Sequence, residues 1–195
     1  MEQGVDIKNL TLGETAVVDP KVEHFKKRTN EHLRLVRKWS DLIRDKNYRG
    51  VDAEKLDEEK RVHDEGKWVD PEFTPYVHLT WKYKNPDYKC PMDTSAATFH
   101  HIKNHRHHPE YWDDNVGPEV VNPKNRDKPS GFMVDAKSMP LTYVAAMMAD
   151  WLAMSEEKGT NVKDWADNNV NKRWSFTPEQ KSLIYKIVMD FGDKT

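Results

Sequence analysis

Tyr143-Val-Ala-Ala-Met-Met-Ala-Asp150-Trp-Leu-Ala-Met154 is the stretch on which the reading of this chain turns. Tyr143, Ala146, Met147, Ala153 and Met154 stand three, four or seven residues from Asp150, the spacing of one helical face. Pro140 opens this helix, expected over 140–157, and the aspartate falls on its apolar side. Burying that carboxylate unpaired costs several kcal/mol, so it needs a cation or strong donors. A metal ion meets the need, and so does an internal salt bridge to Arg or Lys.

Outward from this helix the chain reads as helical throughout. Asp19-Pro20 caps a long amphipathic helix over 21–45, with Phe25, His32, Val36, Trp39 and Ile43 along its apolar stripe. Asp52 caps a second helix to about residue 64, with Gly66 where a helix C-terminus favours glycine. Asp70-Pro71 opens a turn, and Tyr76 to Tyr83 is helical. Asp93 or Thr94 caps a helix running to Arg106, which Pro109 ends. Residues 109–138 lack periodicity and read as a long loop, a feature that is often functional. A short helix is expected over 161–171, and Thr177-Pro178-Glu179 caps the last, 178–191. No segment shows sustained strand alternation, and there is no repeat. The expectation is all-α: an N-terminal arm over 1–18, then a single helical domain over 19–195 with about six or seven helices.

Composition narrows the function classes. Seven Trp, seven Tyr and six Phe oppose global disorder, because such side chains bury large areas. A net charge of −2 with neutral histidines gives no field drawing nucleic acid or an anionic membrane, and no basic stripe suited to duplex nucleic acid is visible. The one cysteine, Cys90, excludes an internal disulfide and a multi-cysteine zinc cluster. No run of apolar residues is long enough to cross a bilayer, and no secretory signal is recognisable. The expectation is a cytoplasmic protein, or one in the host cytoplasm if the gene is viral.

Chemistry-bearing residues gather in three further places. His32 lies inside the apolar stripe of the first long helix. His63-Asp64 stands at a helix end, followed by Glu65, Gly66 and Lys67. Five of the nine histidines then fall between His100 and His108. Imidazole with carboxylate oxygen suits Zn, Mn, Fe, Co or Ni better than calcium. Each piece has an ordinary alternative: a satisfied core histidine, a surface His-Asp pair, a solvated histidine-rich helix end. On a continuous helix His100 and His107 share a face with Ala96 and Phe99, so these two are expected to point to the metal, leaving His101 and His108 to meet substrate. Glu110, Tyr111 and Trp112 offer an aromatic platform for a base, or simply pack the loop. Trp165 and Trp174 read as structural.

The order His32, His63-Asp64, Asp150 on a helical frame resembles the HD superfamily of metal-dependent phosphohydrolases. His-Asp-Glu-Gly-Lys, residues 63–67, is similar to the His-Asp-x-Gly-Lys form of many of its members. More closely, the chain resembles an uncharacterised domain family common in phages and bacteria. That resemblance rests on His63-Asp64 with Lys67, Phe73-Thr-Pro-Tyr76, His100-His101, His107-His108-Pro-Glu-Tyr-Trp112, Met139-Pro140 and Ala149-Asp150-Trp151, and covers roughly residues 25–190. The superfamily resemblance implies an HD-type helical bundle and a divalent transition metal held by His32, His63, Asp64 and Asp150. A second ion is possible through His100 and His107. It also implies a small phosphate substrate, a nucleotide or related ester, with Lys67 as a catalytic point charge on a phosphate oxygen. The histidine spacing departs from better-known two-metal members. Some HD proteins instead hold two irons and oxidise small molecules with dioxygen, and a third expectation is a non-catalytic binding protein that keeps its metal for stability. Oligomeric state is not legible.

Overall fold

The computed structural model describes residues 19–121 and 133–194. The expected arm over 1–18 and the 122–132 part of the expected loop lie outside these residues. Among the described residues, seven α-helices form an all-α bundle: α1 (Pro20–Asp45), α2 (Ala53–Val62), α3 (Phe73–Lys84), α4 (Ser95–Asn104), α5 (Leu141–Lys158), α6 (Val162–Asn169) and α7 (Pro178–Phe191). The capping residues act as their sequence positions suggest. Asp19 accepts from the Lys21 amide, Asp52 from Lys55, Asn161 from Lys163, and Thr177 forms a reciprocal capping box with Gln180.

Helix α5 is the axis of the bundle. It is apolar nearly all round, from Val144, Ala145 and Met148 to Leu152 and Ala153, and a helix of that kind must be enclosed. Helices α1, α2 and α7 pack around it. The larger hydrophobic cluster joins Trp39, Ile43 and Leu56 to the α5 side chains and to Ile184, Ile187 and Phe191 of α7. A smaller cluster joins Phe25 of α1 to Tyr76, Val77 and Leu79 of α3. Helix α1 contributes to both, and His32 lies between its two apolar halves. Each fully buried side chain of this kind stabilises by roughly 1.5–3 kcal/mol.

Three local departures from the sequence expectation shape the site. Helix α2 stops at Val62; His63 is extended (φ −53°, ψ 126°) and Asp64 is left-handed at φ 58°. Aspartate is among the few residues whose short polar side chain tolerates that conformation. Gly66 therefore does not cap α2 but lies within a 3-10 turn, Glu65–Trp68. Helix α4 ends at Asn104, two residues before Arg106. There the Asn104 amide donates to the His100 carbonyl (2.7 Å), and His105 Nδ1 lies 2.8 Å from the His101 carbonyl. The His101 carbonyl also accepts the His105 backbone N–H at 3.2 Å, so the last turn is closed by both groups of His105.

The third departure is a pair of two-residue parallel strands, β1 (Val134–Asp135) and β2 (Trp174–Ser175), with Val134 opposite Trp174. Strands this short cannot display alternation. They tie the end of the expected loop to the chain before α7, and two 3-10 turns, Pro109–Trp112 and Pro118–Val121, order its beginning. Among the described residues, no helix is long and apolar enough to cross a membrane.

Candidate metal centre

The end of α2 does the first work of assembly. With His63 extended and Asp64 left-handed, two adjacent side chains turn into one space, and both are buried. His32 arrives from the middle of α1 and Asp150 from α5. His32 Nε2 lies 3.1 Å from Asp150 Oδ1 and 3.7 Å from Asp64 Oδ2. His63 Nε2 lies 3.8 Å from Asp64 Oδ2 and 3.9 Å from Asp150 Oδ1. The four residues singled out in sequence therefore meet.

The histidine-rich segment supplies a second group. His101, buried on α4, places Nε2 3.2 Å from Asp64 Oδ1. His107, from the turn after α4, places Nε2 3.8 Å from the same oxygen. The His107 and His108 rings lie 4.2 Å apart, and those of His101 and His108 4.8 Å. Asp64 thus turns Oδ2 toward His32 and His63 and Oδ1 toward His101 and His107.

The expected assignment of these histidines to faces is corrected. His100, not His101, points away: its side chain is 44% exposed and its Nδ1 contacts Glu72. His107 is inside, but not because it continues the face of His100, since α4 ends before it. His108 groups with His101 and His107, and His101 and His108 both line a cavity beside the cluster. For His107 and His108 the cause is the α4 terminus, which breaks the helical extrapolation; His100 lies within α4, whose buried side carries Ala97, Thr98, His101 and Ile102 instead.

Both groups fit a metal ion. His32, His63 and Asp64 bring ligand atoms within 4.8 Å of one another, as do His101, His107 and His108. Ligands about 2.1 Å from a tetrahedral ion stand about 3.4 Å from each other, in the range of these contacts. His63 Nε2 and His108 Nε2 are buried and make no hydrogen bond among the described residues. Buried imidazole nitrogens are rarely left in that condition. Among the described residues the salt bridge to Arg or Lys that could have explained Asp150 is not formed: its ion-pair contacts are to His32 and His63.

Charge is balanced tightly. Burial pushes the Asp64 carboxyl up, but Lys67, His63 and His101 outweigh it and hold it well below the usual carboxylate range. Burial also pushes Asp150 up, and His32, His63 and His107 bring it below its ordinary value. Burial drives His63 down to about 4 and depresses His107 and His108 strongly, which favours the neutral, ligating form. His32 differs: burial opposes its charge, yet Asp150 and Glu157 raise it to about 9. Lys67 stands 2.6 Å from Asp64 Oδ2 and 5.1 Å from the centre of the Tyr76 ring.

The cluster forms part of the wall of a cavity of about 910 Å³. His32, Asp64, Lys67, His107, His108 and Asp150 line it at the cluster, and farther out the lining is mixed, with Arg28 against Glu157, Arg173 near Glu110, and Lys158 and Asp164. Tyr111 and Trp112 are not part of this lining; Trp112 packs on Tyr143 and donates from Nε1 to the Arg106 carbonyl. Glu110, Trp165 and Trp174 do line it, and the Trp174 indole donates to Glu110 Oε1 at 2.7 Å. Two carboxylates were not anticipated from sequence. Glu72 contacts His100 and His101, and Glu157 stands 3.6 Å from His32 Nδ1. Glu157 falls seven residues after Asp150 on α5, a spacing that could have marked it; Glu72 carries no such signal.

The chain matches a family of unknown function, DUF5662, over residues 21–190, and it belongs to that family. No curated protein and no solved structure matches it.

Proposed function

We propose that this DUF5662 chain is a metal-dependent phosphohydrolase that holds two divalent transition-metal ions and acts on a nucleotide or related small phosphate ester. The observation that carries the reading is Asp64, whose Oδ2 faces His32 and His63 and whose Oδ1 faces His101 and His107 in the wall of a cavity that Lys67 also lines. His32, His63, Asp64 and Asp150 would hold one ion; Asp64, His101, His107 and His108 the other. The resemblance of His32, His63-Asp64, Lys67 and Asp150 to the HD pattern supports the same reading.

Ions bound there would acidify water and neutralise phosphate charge. The chain's own residues do the rest. Lys67 offers its ammonium to a phosphate oxygen while Asp64 holds it in place. Arg28 and Arg173 also line the cavity but stand against Glu157 and Glu110, which leaves Lys67 and Lys158 as the cations offered to an anion. Water supplies hydroxyl to phosphorus, the ester P–O bond breaks, and the leaving oxygen takes a proton. The test is phosphate release from a panel of nucleotides and phosphate esters by the metal-loaded protein, with loss of release in Asp64→Ala. A metal-loaded protein that releases no phosphate from the panel removes this reading.

The donor set of histidines with two aspartates also suits a diiron oxygenase. Lys67 beside the Asp64 carboxylate favours an anionic substrate and ranks hydrolysis first. Two irons per chain with substrate-dependent oxygen consumption would reverse that order. Two bound ions with neither phosphate release nor oxygen consumption would instead mark a binding protein stabilised by its metal.

A further inference from the structure

We infer that Glu72 is the positioning residue that sets His101 toward the second metal group, and that Gly66 is small to leave room for it. The inference rests on the metal centre proposed above. Glu72, at the start of α3, is fully buried. Its Oε2 lies 2.8 Å from His101 Nδ1 and its Oε1 2.8 Å from His100 Nδ1. A carboxylate can only accept, so each imidazole donates from Nδ1. For His101 that leaves Nε2 as the ligating nitrogen, on the side of Asp64 Oδ1. The Tyr76 ring, edge-on to His101 at 5.5 Å, restricts the remaining tilt. A carboxylate behind a ligating imidazole fixes its tautomer and orientation and raises its basicity.

Gly66 belongs to the same device. A Cβ at that position would stand 2.9 Å from Glu72 Oε1 and 2.9 Å from His105 Cε1. Glu72 cannot step aside without releasing an imidazole, because both of its oxygens are engaged. Glycine at 66 is therefore a matter of space, since its backbone is not left-handed and the left-handed position is Asp64.

The test is a stepwise titration of metal-free full-length protein with Co²⁺, read by its ligand-field absorption. The His101→Ala variant identifies the event that belongs to the second group. Expected in Glu72→Gln is a roughly ten- to hundredfold weaker affinity for that event alone, with altered bands and the other event unchanged. Gly66→Ala, which keeps Glu72 but displaces it, is expected to weaken the same event. Melting of the metal-free variants serves as the fold control. Wild-type affinities in both variants, or equal weakening of both events with a lower metal-free melting temperature, overturn the positioning role. A wild-type chain that takes up no Co²⁺ overturns the metal centre and this inference together. A wild-type chain that takes up two, beside unchanged variants, overturns the inference alone.

Discussion

The Lys67 ammonium lies 2.6 Å from Asp64 Oδ2, the same oxygen that faces His32 and His63. Burial works against the lysine charge, but Asp64 more than compensates and holds it protonated. A fixed, permanent charge at the edge of the cluster suits a phosphate oxygen. Lys67→Met should retain the metal content of wild type while kcat/KM for phosphate release falls about 10²- to 10³-fold, a loss of about 3–4 kcal/mol of transition-state stabilisation. Metal analysis beside steady-state kinetics checks both halves, and unchanged kinetics would remove Lys67 from the reaction.

The opposite orientation of two neighbouring histidines gives a second expectation. His101 is buried against Asp64, whereas His100 is 44% exposed on its side chain. His101→Ala should remove one metal ion per chain. His100→Ala should leave the stoichiometry intact, because Glu72 still holds His101. Elemental analysis of the two variants after dialysis distinguishes them, and loss of an ion from His100→Ala would reverse the assignment.

The main features of the fold were legible. The apolar positions around Asp150, the caps at Asp19, Asp52 and Thr177, and the stripe from Phe25 to Ile43 describe elements that tertiary packing kept. What was not legible lies at helix ends. The periodicity through His107 carried α4 past its true end, because side-chain contacts from Asn104 and His105 to the last carbonyls do not register in a hydrophobic pattern. The inward turn of His63 and Asp64 depends on one left-handed residue, and Gly66 drew that role in sequence because glycine usually takes it. Glu72 is set by a contact between α3 and α4 that no local spacing encodes.

Away from the cluster, Tyr48 donates to Asp190 Oδ2 at 2.6 Å, tying the end of α1 to α7. Asp190 is held below its ordinary 3.8 chiefly by this bond, so its contribution is present above that value and fades as pH falls through the lower folded value. Tyr48 is raised above its ordinary 10.0, first by burial and then by Asp190, so its contribution is present below 10.0 and fades as pH rises further. Tyr48→Phe should lower stability by about 1 kcal/mol at neutral pH. The gap between variant and wild type should narrow at both ends of that window. Thermal melting from pH 3 to 10.5 checks this, and a gap independent of pH would contradict the assignment.

Leu152 is fully buried in α5, at the centre of the larger cluster. Leu152→Ala should cost about 2–5 kcal/mol, because the side chains packed around it close such a cavity only in part. Chemical denaturation gives the value, and a cost under about 1 kcal/mol would mean that α5 is not the enclosed axis of the bundle.

The central claim is that His32, His63, Asp64 and Asp150, with His101, His107 and His108, form a metal centre. Its most direct test is elemental analysis of purified wild-type protein beside Asp64→Asn, each dialysed and then exposed to an excess of one transition metal. Wild type should hold two ions per chain and melt at a higher temperature than after chelation, while Asp64→Asn should lose affinity at both positions because its oxygens face both groups. A wild-type chain that retains no ion, and whose melting temperature is unmoved by metal or chelator, would contradict the account.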